Sequence, residues 1–216
     1  MISDITKQQL ETLRFSGRPL VICDVDEVIV HFTRDFEAYI GRHGLRLTFS
    51  SFALNGNILS IETGAAASEA IVAQLVSDFF EDRTRHMEPI DGAVESLLHI
   101  GETADIVLLT NLPHTAGDHR RENLASHGLN FPVVTNSGPK GPAINDLVTR
   151  AAKPCVFIDD SPAFIASAYT HAPGVHLVHF LHDDRFARHL EPLDYVSLRT
   201  GSWTEAKPHI LELISG

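Results

Sequence analysis

Apolar runs of about five residues recur near positions 19–24, 105–110, 131–135, 154–159 and 175–181, and stretches of helical periodicity separate most of them. A strand wet on one face alternates apolar with polar side chains, whereas a strand covered on both faces reads as a continuous apolar run. Short runs of the second kind, joined by helices, predict an α/β fold: a doubly wound parallel sheet with helices on both faces. Two of the helix starts carry clear signals. After Lys140, residues Ile144, Leu147, Val148 and Ala151 fall at helical spacing, with Pro142 suited to the first turn. Ser161-Pro162 opens another helix, with the serine as cap and the proline at the first helical position. Further on, Tyr195 to Leu198 reads as an edge strand and Trp203 to Ile214 as a closing helix.

The stretch between the first and second runs is too long for a simple crossover. Within it Ile71, Val72, Leu75, Val76, Phe79 and Phe80 form an apolar stripe at helical spacing, and Phe36, Tyr39 and Ile40 suggest an earlier helix. The expected organisation is therefore a core made of residues 1–32 and 89–216, with an inserted α-helical cap at 33–88. The aromatic stripe has two readings: a cap helix burying its own small core, or a face that contacts a ligand.

At 216 residues and 44% hydrophobic content the chain can bury a substantial core. Acidic residues outnumber basic ones 28 to 17, for a net charge of −11, which argues against broad binding to nucleic acid or to an anionic membrane surface. No run of apolar residues is long enough to span a bilayer, and a cytoplasmic protein is expected. The two cysteines, Cys23 and Cys155, each fall inside a predicted buried strand, as reduced core thiols.

Chemistry concentrates where these runs end. Asp24 and Asp26 follow Leu20-Val21-Ile22-Cys23, and a strand sends residues i and i+2 to the same side. Alone, the pair reads more readily as a strand ending in a solvated turn. Further along, in order, come Thr110-Asn111 after an apolar run, Lys140 amid glycines and prolines, and Asp159-Asp160 after Val156-Phe157-Ile158. Lys153 competes with Lys140 but lies before its strand, at the wrong end of the sheet. The many histidines lack the His-Glu-x-x-His spacing of a helical zinc site. His31 and His114 lie close enough to these stretches to touch a ligand.

This ordered set, Asp24-Val25-Asp26-Glu27-Val28, Thr110-Asn111, Lys140 and Asp159-Asp160, resembles the four motifs of the haloacid dehalogenase superfamily of aspartate-nucleophile phosphotransferases. Many members carry glycine where this chain has Glu27. The resemblance implies a Rossmann-like core with the insertion as a C1-type cap, and neighbouring sheet positions for the strands of Cys23 and Cys155, whose offset then excludes a disulfide. It implies Asp24 as nucleophile, Asp26 as general acid and base, Thr110 and Asn111 as donors to the phosphoryl oxygens, and Lys140 as a cation for both phosphate and Asp24.

Asp24, Asp159 and Asp160 would crowd a phosphate dianion. Like charges about 4 Å apart repel by about 4 kcal/mol at an effective dielectric near 20, so a divalent cation is required. All-oxygen ligands point to Mg2+, held by Asp24, the Asp26 backbone carbonyl and one or both of Asp159 and Asp160. The implied function is a magnesium-dependent phosphatase of a small phosphorylated metabolite, working through an aspartyl-phosphate. A phosphomutase, a protein phosphatase of the same superfamily (favoured by Asp-x-Asp-Glu), and a catalytically silent binding module are the alternatives. A dehalogenase is disfavoured, because that branch lacks the second acid.

Overall fold

The computed structural model describes residues 2–216. Six parallel strands form one sheet in the order β5-β4-β1-β6-β7-β8, namely Val133–Thr135, Asp105–Thr110, Pro19–Cys23, Ala152–Asp159, His176–Phe180 and Leu198–Thr200. Of the three central strands, β1 and β4 are buried beyond their first residue and β6 from Cys155 onward, the physical origin of their continuous apolar runs. Helices α1 (Asp4–Thr12), α6 (Gly141–Arg150) and α7 (Pro162–His171) close one face over Leu20, Ile22, Phe157 and Cys155. On the other face α4 (Ala93–Gly101), α5 (Gly117–Ser126) and α9 (Trp203–Ser215) pack over Val21, Cys23, Val156 and Ile158. Among the described residues no helix is long and apolar enough to cross a membrane.

The two cysteines are free and buried, one under each face of the sheet. In the register Cys23 pairs with Ile158, whereas Cys155 pairs with Leu20. The offset expected from the sequence is therefore present.

Three local features depart from the sequence expectation. The last strand is Leu198–Thr200 rather than Tyr195 to Leu198; the carbonyl of Thr200 accepts the Leu181 N–H and fixes pairing at a segment whose polar Arg199 hides it. Helix α1 had no apolar signal, and Ser3 caps it by accepting from the Thr6 N–H. Ser161 occupies the N-cap position of α7 but makes no side-chain cap bond; its N–H instead donates to Asp159 Oδ1.

Between β1 and α4 lies the insertion. It holds helices α2 (Phe32–Gly41) and α3 (Glu69–Arg83) and, between them, an antiparallel hairpin of β2 (Leu45–Leu47) and β3 (Ile58–Ser60), so this segment is not purely helical. The strands of that hairpin are three residues long, too short for a periodic signal. Chain entry and exit run side by side: the His31 N–H donates to the Glu88 carbonyl and the Ile90 N–H to the Ile29 carbonyl. Phe36 and Phe79 are fully buried inside the insertion, while Val76 and Phe80 of the same stripe face a cavity above the sheet. The stripe thus divides between the insertion's own core and the cavity wall.

Candidate active site

Strand β1 lies between β4 and β6, the point where the sheet order turns in opposite directions, and ligands of open α/β sheets bind beyond the carboxyl ends of the strands at such a point. Asp24 and Asp26 leave β1 there, Thr110 ends β4, and Asp159 ends β6. The Asp24 N–H donates to the Ile158 carbonyl, which prolongs the ladder by one residue and holds the first acid in place. Beyond it the chain turns tightly, with the Val25 carbonyl accepting from Ile29 and Val30.

Lys140 is the electrostatic centre. Fully buried at the start of α6, its Nζ lies 2.7 Å from Asp159 Oδ2, donating a hydrogen bond, and 2.6 Å from Asp24 Oδ1. The contact to Asp24 is a buried ion pair, which engages that oxygen with the ammonium. Burial alone would lower the lysine's pKa, but Asp159 and then Asp24 outweigh it and hold the ammonium above its ordinary range. Asp24 is raised as well, but for a different reason: burial, opposed by Lys140 and reinforced by Asp159 and Asp26, lifts it from 3.8 to about 7. Burial likewise pushes Asp159 up, and Asp160 further, the latter helped by the charges of Asp159 and Asp24.

The carboxylates of Asp24, Asp159 and Asp160 bring oxygens within 4.8 Å of one another. Such a set, all oxygen and bearing more negative charge than Lys140 can offset, suits a hard divalent cation such as magnesium. Asp159 is the most committed of the three, since Oδ2 accepts from Lys140 and Oδ1 from the Ser161 N–H.

Asp26 is held apart from this cluster. Its Oδ1 meets the guanidinium of Arg120 at 2.5 Å, and its Oδ2 accepts from the Thr110 hydroxyl at 3.1 Å. Arg120, fully buried in α5, also donates to Asn123 Oδ1 and lies against the Met87 sulfur. It is a residue of the acid cluster's surroundings that sequence reasoning missed. An arginine inside the polar segment Asp118-His119-Arg120-Arg121-Glu122 carries no periodic mark distinguishing it from a solvated one, and only its place in the helix after Thr110-Asn111 hinted at it.

Thr110 was expected to face a phosphoryl group, yet its buried hydroxyl is spent on Asp26. Asn111 does line the cavity, with its side chain fixed between the Gly138 carbonyl, to which it donates, and the Asn136 amide, from which it accepts. The two histidines named from the sequence do not line this cavity. His114 bonds Ser3 and Thr135 beside α1, and His31 packs against the His182 ring at 5.1 Å.

Over these acids lies a cavity of about 370 Å³, with the insertion and the core contributing opposite walls. Arg185, in helix α8 (Asp184–Ala187), ties the two together. Its guanidinium pairs with Glu37 of α2 and with Asp183, and stacks 4.1 Å from the Phe49 ring centroid.

No described protein family and no curated protein matches the sequence itself. Solved structures do match in shape. A protein described as a HAD-hydrolase, YfnB from Bacillus subtilis, bound to magnesium, superposes with a TM-score of 0.61 at 17% identity, over 91% of this chain and 99% of that one. A HAD family hydrolase from Deinococcus radiodurans, with bound phosphate and sodium, scores 0.55 at 14% identity, over 92% and 97% of the two chains. A chain from Bacteroides vulgatus described as a beta-phosphoglucomutase scores 0.54 at 18% identity, over 98% and 96%. This chain therefore has the haloacid dehalogenase-like fold, as its motifs implied.

Proposed function

We propose that this protein is a magnesium-dependent phosphatase that hydrolyses a small phosphate monoester through an aspartyl-phosphate on Asp24. The observation that carries the reading is the pairing of two differently prepared acids at one strand end. Asp24 is backed by the buried Lys140, and Asp26, two residues on, is gripped by Arg120 and Thr110.

A carboxylate nucleophile divides a difficult hydrolysis into two easier displacements. Asp24 attacks phosphorus while Asp26 delivers a proton to the departing oxygen; Asp26 then takes a proton from the water that cleaves the acyl phosphate. Asp26 accepts from both Arg120 and Thr110, and it must leave the guanidinium to carry a proton in the first step. Lys140 supplies positive charge to the phosphate, and the Asn111 backbone N–H donates to a phosphoryl oxygen. Asp24 and Asp160, with the Asp26 carbonyl, would hold the magnesium ion, with Asp159 supporting through Lys140 and Ser161. When bound, the ion neutralises charge between the carboxylates and the phosphate.

Thr33, Leu54 and Phe80 of the insertion line the same cavity as Asp24. Such a lid supports a small substrate over a polymeric one, which would need an open site, and it limits bulk water at the reacting centre. The test is phosphate release from a panel of monoesters, with magnesium or with EDTA. Magnesium-dependent turnover that vanishes in Asp24→Asn supports the reading. Equal inertness of wild type and Asp24→Asn across the panel would return the chain to the binding-module alternative.

A further inference from the structure

The cavity above Asp24 has a floor and walls of opposite character. Its floor carries the carboxylates of Asp24, Asp26, Glu27 and Asp160. Its walls are mostly hydrocarbon, chiefly Phe32, Phe52, Leu54, Val76, Phe80 and Phe186. Among the described residues no lysine or arginine lines it. The cations packed nearby already have partners: Lys140 has Asp24 and Asp159, Arg120 has Asp26, and Arg185 has Glu37 and Asp183. Asn111, a polar wall residue, has its side-chain amide engaged by Gly138 and Asn136.

These walls are also preorganised. Phe32 stacks on Phe36 and on Phe80 at 5.3 and 5.7 Å and meets Phe79 edge-on at 5.5 Å, all within the insertion. From the core, Phe186 meets Phe49 and Phe52 at 4.8 and 5.2 Å. The volume of about 370 Å³ lies at the small end of ligand sites, which run to roughly 1,000 Å³.

Building on the phosphatase reading, we infer that the leaving group is a compact, uncharged, apolar alcohol or phenol, an aromatic ring above all. With the phosphate on Asp24, such a group occupies the walls and buries its rings against phenylalanine faces and edges. A sugar would bring hydroxyls that lose water and find few free partners. A nucleotide, a phosphoamino acid or a bisphosphorylated sugar would bring further charge into a chamber floored by carboxylates and lacking an uncommitted cation. The wall composition thereby separates this site from sugar-phosphate mutase chemistry.

The test compares benzyl phosphate with glucose 6-phosphate, in magnesium, by kcat/KM. Both release a primary alkoxide, so intrinsic leaving-group quality is closely matched and the walls decide the ratio. Benzyl phosphate is expected to be preferred at least tenfold, with phosphoserine and ribose 5-phosphate grouped with glucose 6-phosphate. Phe52→Ser is expected to shrink the benzyl-to-glucose ratio at least threefold; because the ratio is internal to each preparation, partial misfolding cancels. A wild-type preference below tenfold, or one that Phe52→Ser leaves unmoved, overturns the inference while any magnesium-dependent turnover leaves the phosphatase reading standing. If no monoester is hydrolysed, that reading falls and takes the inference with it.

Discussion

Glu27 adopts φ 63°, the left-handed region that costs a residue with a Cβ about 1–2 kcal/mol. This accounts for glycine being common here in the resembling family. The glutamate keeps a use: its carboxylate accepts the Thr33 N–H at 2.6 Å and so caps α2, whose own N-cap residue His31 makes no side-chain bond. Glu27→Gly and Glu27→Ala both remove that cap and differ only in a Cβ at positive φ. The left-handed cost outweighs the roughly 0.4–1 kcal/mol by which alanine gains from a less disordered unfolded chain. Alanine should therefore be about 0.5–1 kcal/mol less stable than glycine in urea denaturation, and the reverse order would show that the turn relaxes. Asp26 yields a second prediction. Asp26→Asn should slow release of benzyl alcohol from its phosphate by about 10²–10⁴, the usual contribution of general acid–base catalysis. The loss should be smaller in single-turnover release of p-nitrophenol, which needs no proton; equal losses for both would remove the proton-transfer role. Asp24 and Asp26 were legible because they sit where an apolar run ends, and Lys140 because it sits where a helix signal begins. Arg120 was not, because burial in a polar helix leaves no trace in one sequence.

At the scale of elements, the position of Lys140 depends on how closely α6 approaches α7. A Cβ built on Gly141 would stand 2.2 Å from the Ser167 carbonyl oxygen and 2.6 Å from its hydroxyl, while the Gly141 N–H donates to that hydroxyl at 3.0 Å. Backbone cannot yield as a flexible side chain does, so the two helices must part. Gly141→Ala should cost about 1–3 kcal/mol by thermal or urea unfolding, the range of overpacked cores. It should also lower kcat/KM by moving Lys140 from Asp24; unchanged activity in a destabilised variant would show that Lys140 keeps its place by its ion pairs alone. The sheet was readable for the opposite reason. Its central strands are covered on both faces and have no polar alternation to confuse the pattern, whereas β8, β2 and β3 are three residues each and rest on partner pairing that one sequence does not display. The insertion's hairpin was therefore read as part of a helical segment, although the stripe that forms α3 was visible.

Across the whole molecule, folding gathers Asp24, Asp159 and Asp160 around one buried lysine, and without a cation that arrangement opposes stability as pH rises. All three carboxyls are raised, Asp24 to about 7, so the folded state binds more protons than the unfolded chain. Stability from these groups is full below the unfolded value near 4 and falls as pH climbs through the folded values, by a few kcal/mol in order of magnitude for Asp24 alone. His31 and His179 act in the opposite sense: both are lowered, first by burial, and they withdraw stability as pH drops below about 6.5. A plain pH–stability curve mixes the two effects. Magnesium separates them, because a cation on the carboxylates must displace their protons. The rise in Tm on adding millimolar magnesium chloride should therefore be small at pH 5.5 and grow to several degrees at pH 8, by differential scanning fluorimetry. Asp160→Asn should erase most of the pH 8 increment. A magnesium shift equal at both pH values would mean that the ion binds elsewhere and that the acid cluster is not its site.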